Sequence, residues 1–260
     1  MVAKEGPFMT QAQFAIFDAL RKDFSAYVEN LNRRSPWLKN LQDELRESLG
    51  YQDYEVETPI VYNTALDDIG PRDQPLFLIV ADNPGKNEQK TANRRYLVGQ
   101  SGKLAKGWFA AELNLDFYKA CIIINKTPLH TPKTAELRGL RKIARSRSAE
   151  LDKELALLLD ESQRFMAALA FNLHSTLNCV LWVSGYGELS PGKLFSVWAE
   201  ETKKLYADSN PELRENFWVF KHFSMNQFAI EYKKSTTAPA DPMSGLASIG
   251  KTNRFRILGW

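Results

Sequence analysis

The stretch LFLIVADNPG at residues 76–85 decides how the rest of the chain reads. Six apolar residues run without a polar interruption and stop at Asp82, Asn83, Pro84 and Gly85. A strand with one wet face alternates polar and apolar residues. An unbroken run marks a strand covered on both faces, the habit of parallel sheets. Asp-Asn-Pro-Gly then stops the strand and turns the chain. Three more runs share this character: KACIIIN at 119–125, CVLWVS at 179–184 and FWVFKH at 217–222. Helical segments at 101–113, 134–145, 149–173 and 191–206 separate them, and TPIVYN at 58–63 is expected to add an edge strand. Strands alternating with helices predict an α/β fold, a three-layer α/β/α sandwich around a four-stranded, mainly parallel sheet.

Upstream of this pattern, Thr10 and Gln13 have the spacing of a capping box, and Phe14, Phe17, Leu20, Phe24, Tyr27 and Leu31 continue as a helical stripe. Ser35-Pro36 is expected to cap a second helix running to about Leu49. Residues 1–57 are therefore expected to be a helical cover on a single domain whose α/β core spans 58–234. The segment STTAPADPMSGLASIG at 235–250 is rich in small residues and proline, so 235–260 is expected to be an irregular tail. Its end, KTNRFRILGW, is basic and aromatic, fit either to pack down as an edge or to act as an arm.

Hydrophobic residues make up 44% of the 260 and charged residues 25%, the balance of a soluble globular protein. No apolar run approaches the ~20 residues of a membrane span, and MVAKEGPFMTQAQF lacks the apolar stretch of a secretory signal. A cytoplasmic location is the expectation. Cys121 and Cys179 sit inside apolar runs and form no Cys/His cluster, so neither a metal, an iron–sulfur centre nor another cofactor is expected.

The net charge of +3 is too small by itself to imply nucleic acid. Its distribution says more. Arg138, Arg141, Lys142 and Arg145 recur at i, i+3, i+4 and i+7, with Leu137, Leu140 and Ala144 on the other side. A helix with such a stripe suits phosphates, and equally suits plain solvent.

Ligands of open parallel sheets bind beyond the carboxyl ends of the strands. Asp82 and Asn83 follow the first strand, and Asn125 closes the second, ahead of Lys126 and His130. Gly185-Tyr186-Gly187 follows the third, and His222 ends the fourth. One acid, two carboxamides and an imidazole gather on one edge.

These segments resemble the uracil-DNA glycosylase superfamily, over about residues 76–232. Ala81-Asp82-Asn83-Pro84-Gly85 is similar to its G-x-N-P-G motif, with alanine for the leading glycine. Leu97-Val98-Gly99-Gln100-Ser101-Gly102 is similar to the F-V-G-x-S/A-G loop that opens a helix, and Ile124-Asn125 to the strand ending in asparagine. His222-Phe223-Ser224-Met225 stands in the place of H-P-S-P. The resemblance implies a monofunctional DNA glycosylase that hydrolyses the N-glycosidic bond of uracil or another damaged base flipped out of DNA.

It implies roles as well. Asn83 would orient the attacking water, with Asp82 the second candidate and a potential general base. Asn125 would read the base edge, and His222 would donate to the base oxygen as charge builds there. The opening of the helix at Ser101 and Lys103 would meet a DNA phosphate, as would the stripe of Arg138, Arg141, Lys142 and Arg145. Ser224, Met225 and Asn226 would enter the DNA groove. The chain departs from the pattern in two places. Leu97 stands where an aromatic normally stacks on the base, with Tyr96 one residue early, and the last motif lacks both prolines. DNA is the expected partner and a monomer the expected state. A catalytically silent nucleic-acid-binding module and an enzyme acting on a small nucleotide are the competing readings.

Overall fold

The computed structural model describes residues 8–235 and 241–260. Four strands, β1 (Phe77–Ala81), β2 (Cys121–Asn125), β3 (Val180–Ser184) and β4 (Phe217–Phe220), form one sheet in the order β2-β1-β3-β4, every pair parallel. Nineteen strand positions carry no charged side chain and are buried on both faces apart from Val180, as the unbroken apolar runs require.

The chain opens on α1 (Gln11–Arg34), whose Thr10/Gln13 capping box is formed, and α2 (Trp37–Ser48). Pro36 lies one position ahead of the helix proper and no side chain caps it, so Ser35 is not the cap that its sequence suggests. Between β1 and β2 come α3 (Gln100–Trp108), a π-turn at Phe109–Leu113 and the short α4 (Phe117–Ala120). Between β2 and β3 run α5 (Leu137–Arg147) and the long α6 (Ala149–Leu177). Next come α7 (Ser196–Ala207) and α8 (Pro211–Glu215), and β4 is followed by α9 (Gln227–Ser235) and α10 (Pro242–Leu258).

The layers are visible in the aromatic contacts. Trp182 of β3 meets Trp108 of α3, Phe109 and Phe228 of α9 on one face. On the other, Tyr206 of α7 meets Phe217 of β4 and takes the imidazole of His174 from α6. Helix α1 stacks on α6 through Tyr27 and Phe165, outside that layer. The result is the three-layer α/β/α sandwich with added N-terminal helices.

Two further expectations are corrected. Residues 58–63 do not join the sheet. They make one antiparallel bridge, Ile60 to Leu129, and strap the loop after β2 instead. The tail is not irregular either, although residues 236–240 of it lie outside the described residues. Asp241 caps α10 with Pro242 at its first turn, and Gly259 ends it in the left-handed region. Gly250, which reads as loop, is there for packing: a Cβ on it would sit 2.4 Å from Cβ of Trp218. Helix α10 can therefore lie close against β4 and cover what would otherwise be an open edge.

Candidate functional site at the carboxyl ends of the strands

Parallel pairing carries the polar residues to one edge of the sheet. The register sets Ala81 beside Asn125, Val80 beside Val183 and Ser184 beside Phe220. Asn125, Ala81, Ser184 and Phe220 thus form one row across the strand ends, on the face that carries Trp182, because residues two apart share a face. Asn125 and Ser184 are 1% and 0% exposed, and neither Asn125 Nδ2 nor Ser184 Oγ has a hydrogen-bond partner among the described residues. Native interiors rarely leave such groups unsatisfied. Of the eleven such side-chain atoms among the described residues, these two lie in one row, two strand spacings or about 10 Å apart, with a small alanine between them, and Trp182 Nε1 is a third on the same face.

Asp82 follows Ala81 and is largely buried. Its Oδ1 is 2.6 Å from the ammonium of Lys126, and its Oδ2 accepts from the Thr134 hydroxyl at 3.3 Å. Lys126 also donates to the Ser184 carbonyl at 2.6 Å and sits 5.2 Å from the centroid of the Phe195 ring. Burial pushes the Lys126 ammonium below the ordinary lysine value and the charge of Asp82 opposes this. The pair ties the ends of β1, β2 and β3 together. Nothing in the spacing of the sequence signals this lysine except that it directly follows Asn125.

Asn83 is half-buried, and its amide nitrogen is committed. Nδ2 donates to the Thr131 hydroxyl at 2.9 Å and toward the Leu129 carbonyl at 3.3 Å. Since carbonyls can only accept, the amide orientation is settled, and Oδ1 is the atom left to accept from water. His130, in the loop after β2, is fully buried, with Nδ1 2.9 Å from the Pro84 carbonyl. Burial lowers its pKa to about 4, so it is neutral, and its Nε2 is buried without a partner among the described residues.

His222 stands two residues past β4, half-buried. The Ser224 N–H donates to its Nδ1 at 3.0 Å, which makes Nε2 the protonated nitrogen of the neutral ring. Burial lowers its pKa, Asp82 opposes the shift and Lys126 adds to it. His222 therefore lies within electrostatic reach of the Asp82–Lys126 pair. The loop beyond it is strained: Met225 and Asn226 both have positive φ, 52° and 55°. Met225 is 76% exposed, an apolar side chain held out from the surface.

Tyr96 and Leu97 are placed differently from expectation. Tyr96 is 1% exposed, its hydroxyl is bound by the Val61 carbonyl, and its ring lines a hollow of about 380 Å³ beside Cys121, Ile122 and Ile123. Tyr96 is thus a buried anchor beside β2, with its hydroxyl committed to the Val61 carbonyl. Leu97 is 4% exposed in the left-handed conformation, φ 53°. Its carbonyl accepts from the Tyr118 hydroxyl at 2.8 Å. A Cβ on Gly102 would fall 1.4 Å from that same oxygen, so only glycine fits the motif here. Ser101 and Lys103 lie in the first turn of α3, where Gly99 provides no side-chain cap and Lys103 is exposed.

The basic stripe is formed but partly neutralised. Arg138 pairs with Glu188 at 2.5 Å, and Arg141 and Arg145 share Asp152. The hydrogen bond from Arg141 holds the Asp152 carboxyl at about 2. Among the described residues Lys142 makes no ion pair, unlike its neighbours on the helix. These four side chains and Lys193 line one hollow of about 330 Å³ between α5, α6 and the loop before α7. Cys121 and Cys179 are free and buried, and no cluster of three or more potential metal ligands occurs among the described residues. No described helix is long and apolar enough to cross a membrane. No protein-family model, curated protein or solved structure matches the chain.

Proposed function

We propose that the chain is a DNA glycosylase that hydrolyses the N-glycosidic bond of uracil or another damaged base. One observation carries the reading: Asn125, at the end of β2, buries a donor for which the fold supplies no partner. Leaving it unsatisfied costs about 1–3 kcal/mol, and a carbonyl oxygen on a flipped base would satisfy it. In this mechanism Asn125 Nδ2 donates to that oxygen. His222, neutral and protonated on Nε2, donates to a second oxygen as negative charge builds on the departing base. Asn83 Oδ1 holds the water that attacks C1′ of the sugar, and the Asp82 carboxylate faces the positive charge developing there. The water's proton leaves to solvent or to the departing base. The closed packing around Asn125 means that a base enters only as the surrounding loops move.

A second reading, a nucleic-acid-binding module without catalysis, is favoured by a different observation. Both carboxylate oxygens of Asp82 and the amide nitrogen of Asn83 are already bonded to protein. Incubation with single- and double-stranded oligonucleotides containing uracil, hypoxanthine or xanthine separates the two. Release of a base that falls about a hundredfold in His222→Ala supports the glycosylase, that being the usual loss for one preorganised donor. Tight binding with no release from any substrate supports the binding module.

A further inference from the structure

The basic stripe of α5 forms one wall of the hollow of about 330 Å³, and the segment entering α7 forms the other. A turn written in the sequence shapes that second wall. In Ser190-Pro191-Gly192-Lys193, proline and glycine hold the two central positions that a type II turn reserves for them. Gly192 has φ 75°, and the Lys193 N–H donates to the Ser190 carbonyl at 3.0 Å. Glu188 joins the two walls: its Oε2 accepts from the Arg138 guanidinium of α5 at 2.5 Å and from the Leu194 N–H at 3.2 Å. Gln163 of α6 fixes the start of α7, its Oε1 accepting from the Trp198 N–H at 3.1 Å. The concavity is thus held by hydrogen bonds that do not depend on any ligand.

The donors around it fall into two groups. Arg138 is spent on Glu188, and Arg141 and Arg145 on Asp152. Lys142 and Lys193 make no ion pair among the described residues, and the Ser196 hydroxyl makes no hydrogen bond there. The Ser196 N–H is taken by the Lys193 carbonyl, but the Val197 N–H, orphaned in the first turn of α7, has no acceptor among the described residues. Asp160 also lines the hollow, so three carboxylates stand against five cations and two positive charges are left over. We propose that this hollow is a phosphate-binding site. Lys142 and Lys193 supply the charge, and the Ser196 hydroxyl and Val197 N–H supply further hydrogen bonds. All four are donors, and they come from both walls, which suits an anion whose oxygens point in tetrahedral directions. The phosphate belongs either to a DNA strand or to a small free compound. The site does not rest on the glycosylase reading, since none of Asp82, Asn83, Asn125 and His222 lines it.

Backbone amide NMR of the full chain reads the site directly, because the Val197 N–H is one of its donors. Inorganic phosphate added at constant ionic strength should move the Val197 resonance along a saturating curve. In Lys142→Gln and in Lys193→Gln the apparent Kd should rise about tenfold, the loss of one charge-assisted hydrogen bond. Lys203→Gln removes the same charge from an exposed position on α7 outside the hollow, and should leave the curve unchanged. The same titration with an undamaged single-stranded oligonucleotide separates the two sources. A saturating Val197 shift with DNA assigns the hollow to a backbone phosphate; a shift with inorganic phosphate alone assigns it to a free phosphate compound. A Val197 resonance that moves with neither probe would overturn the proposal, as would three lysine variants that weaken binding equally. Base release assayed in parallel keeps the claims apart: a saturating Val197 shift in a protein that releases no base retains the phosphate site and removes the glycosylase. An active enzyme whose Val197 resonance ignores both probes does the reverse.

Discussion

Replacing Asn125 by leucine should make the protein more stable and its site useless. The two side chains branch at the same carbon and are close in shape, so leucine fills the space with little repacking. In the wild type the Nδ2 group is stripped of water at a position 1% exposed and is given no acceptor. That penalty is about 1–3 kcal/mol, and an apolar replacement removes it. Leucine also buries apolar area where the carboxamide buried a polar group, which adds to the gain. Taking ~2 kcal/mol overall, with roughly 2–4 °C per kcal/mol for a chain of this size, the midpoint of thermal unfolding should rise by about 4–8 °C. Calorimetry at pH 7.5 on both proteins measures this, and the oligonucleotide assay on the same samples should show base release down by about a hundredfold or more. The combination is the signature of a group kept for a ligand at the expense of the fold. A midpoint that falls by several degrees would mean that Asn125 is a structural residue with a partner in solution. The main support for the proposed function would then be gone.

The remaining expectations concern the charges around the site. Lys126→Met strands the carboxylate of Asp82 and should cost about 3–5 kcal/mol, most of it recovered by adding Asp82→Asn; strictly additive losses in urea denaturation would show that the two do not act as a pair. On α5, Lys142→Glu should weaken DNA binding and lower its salt slope more than Arg145→Glu does, because Arg145 is already matched by Asp152; equal effects in titrations at several salt concentrations would contradict this. The buried His130 and His174 are both depressed to about 4, so the unfolded chain binds more protons than the folded one between there and 6.5. Their stabilisation is present above pH 6.5 and lost as the pH falls toward 4, by up to roughly 3 kcal/mol each. Glu88, raised to about 7, has the opposite sign: its ionisation takes stability away as the pH rises from 4.5 to 7. Glu88→Gln should therefore steepen the rise of stability with pH across that range, and an unchanged slope would show that Glu88 does not titrate there.

The sequence by itself determined the sheet and its polar edge. Four unbroken apolar runs separated by helix-length segments leave parallel strands as the solution that covers both faces, and parallel strands place every run's last residues at one edge. Asn125, Asp82 and His222 lie at the carboxyl ends of their strands for that reason, and each could be named from its position at the end of a run. What stands between those residues was decided only by the tertiary structure. Lys126 reads as the first residue of a loop, yet the loop turns it under the sheet edge onto Asp82, so the carboxylate that looked free is paired. Tyr96 looks like a stacking residue one position out of register, but Val61 holds its hydroxyl and fixes it beside β2. Gly250 of the tail looks like loop until β4 sets Trp218 against it, where a Cβ would clash. Periodicity reports which face of a segment is buried, because the segment's own geometry sets that. It carries no information on which distant groups share a buried volume, and the pairing, burial and titration of side chains depend on that alone.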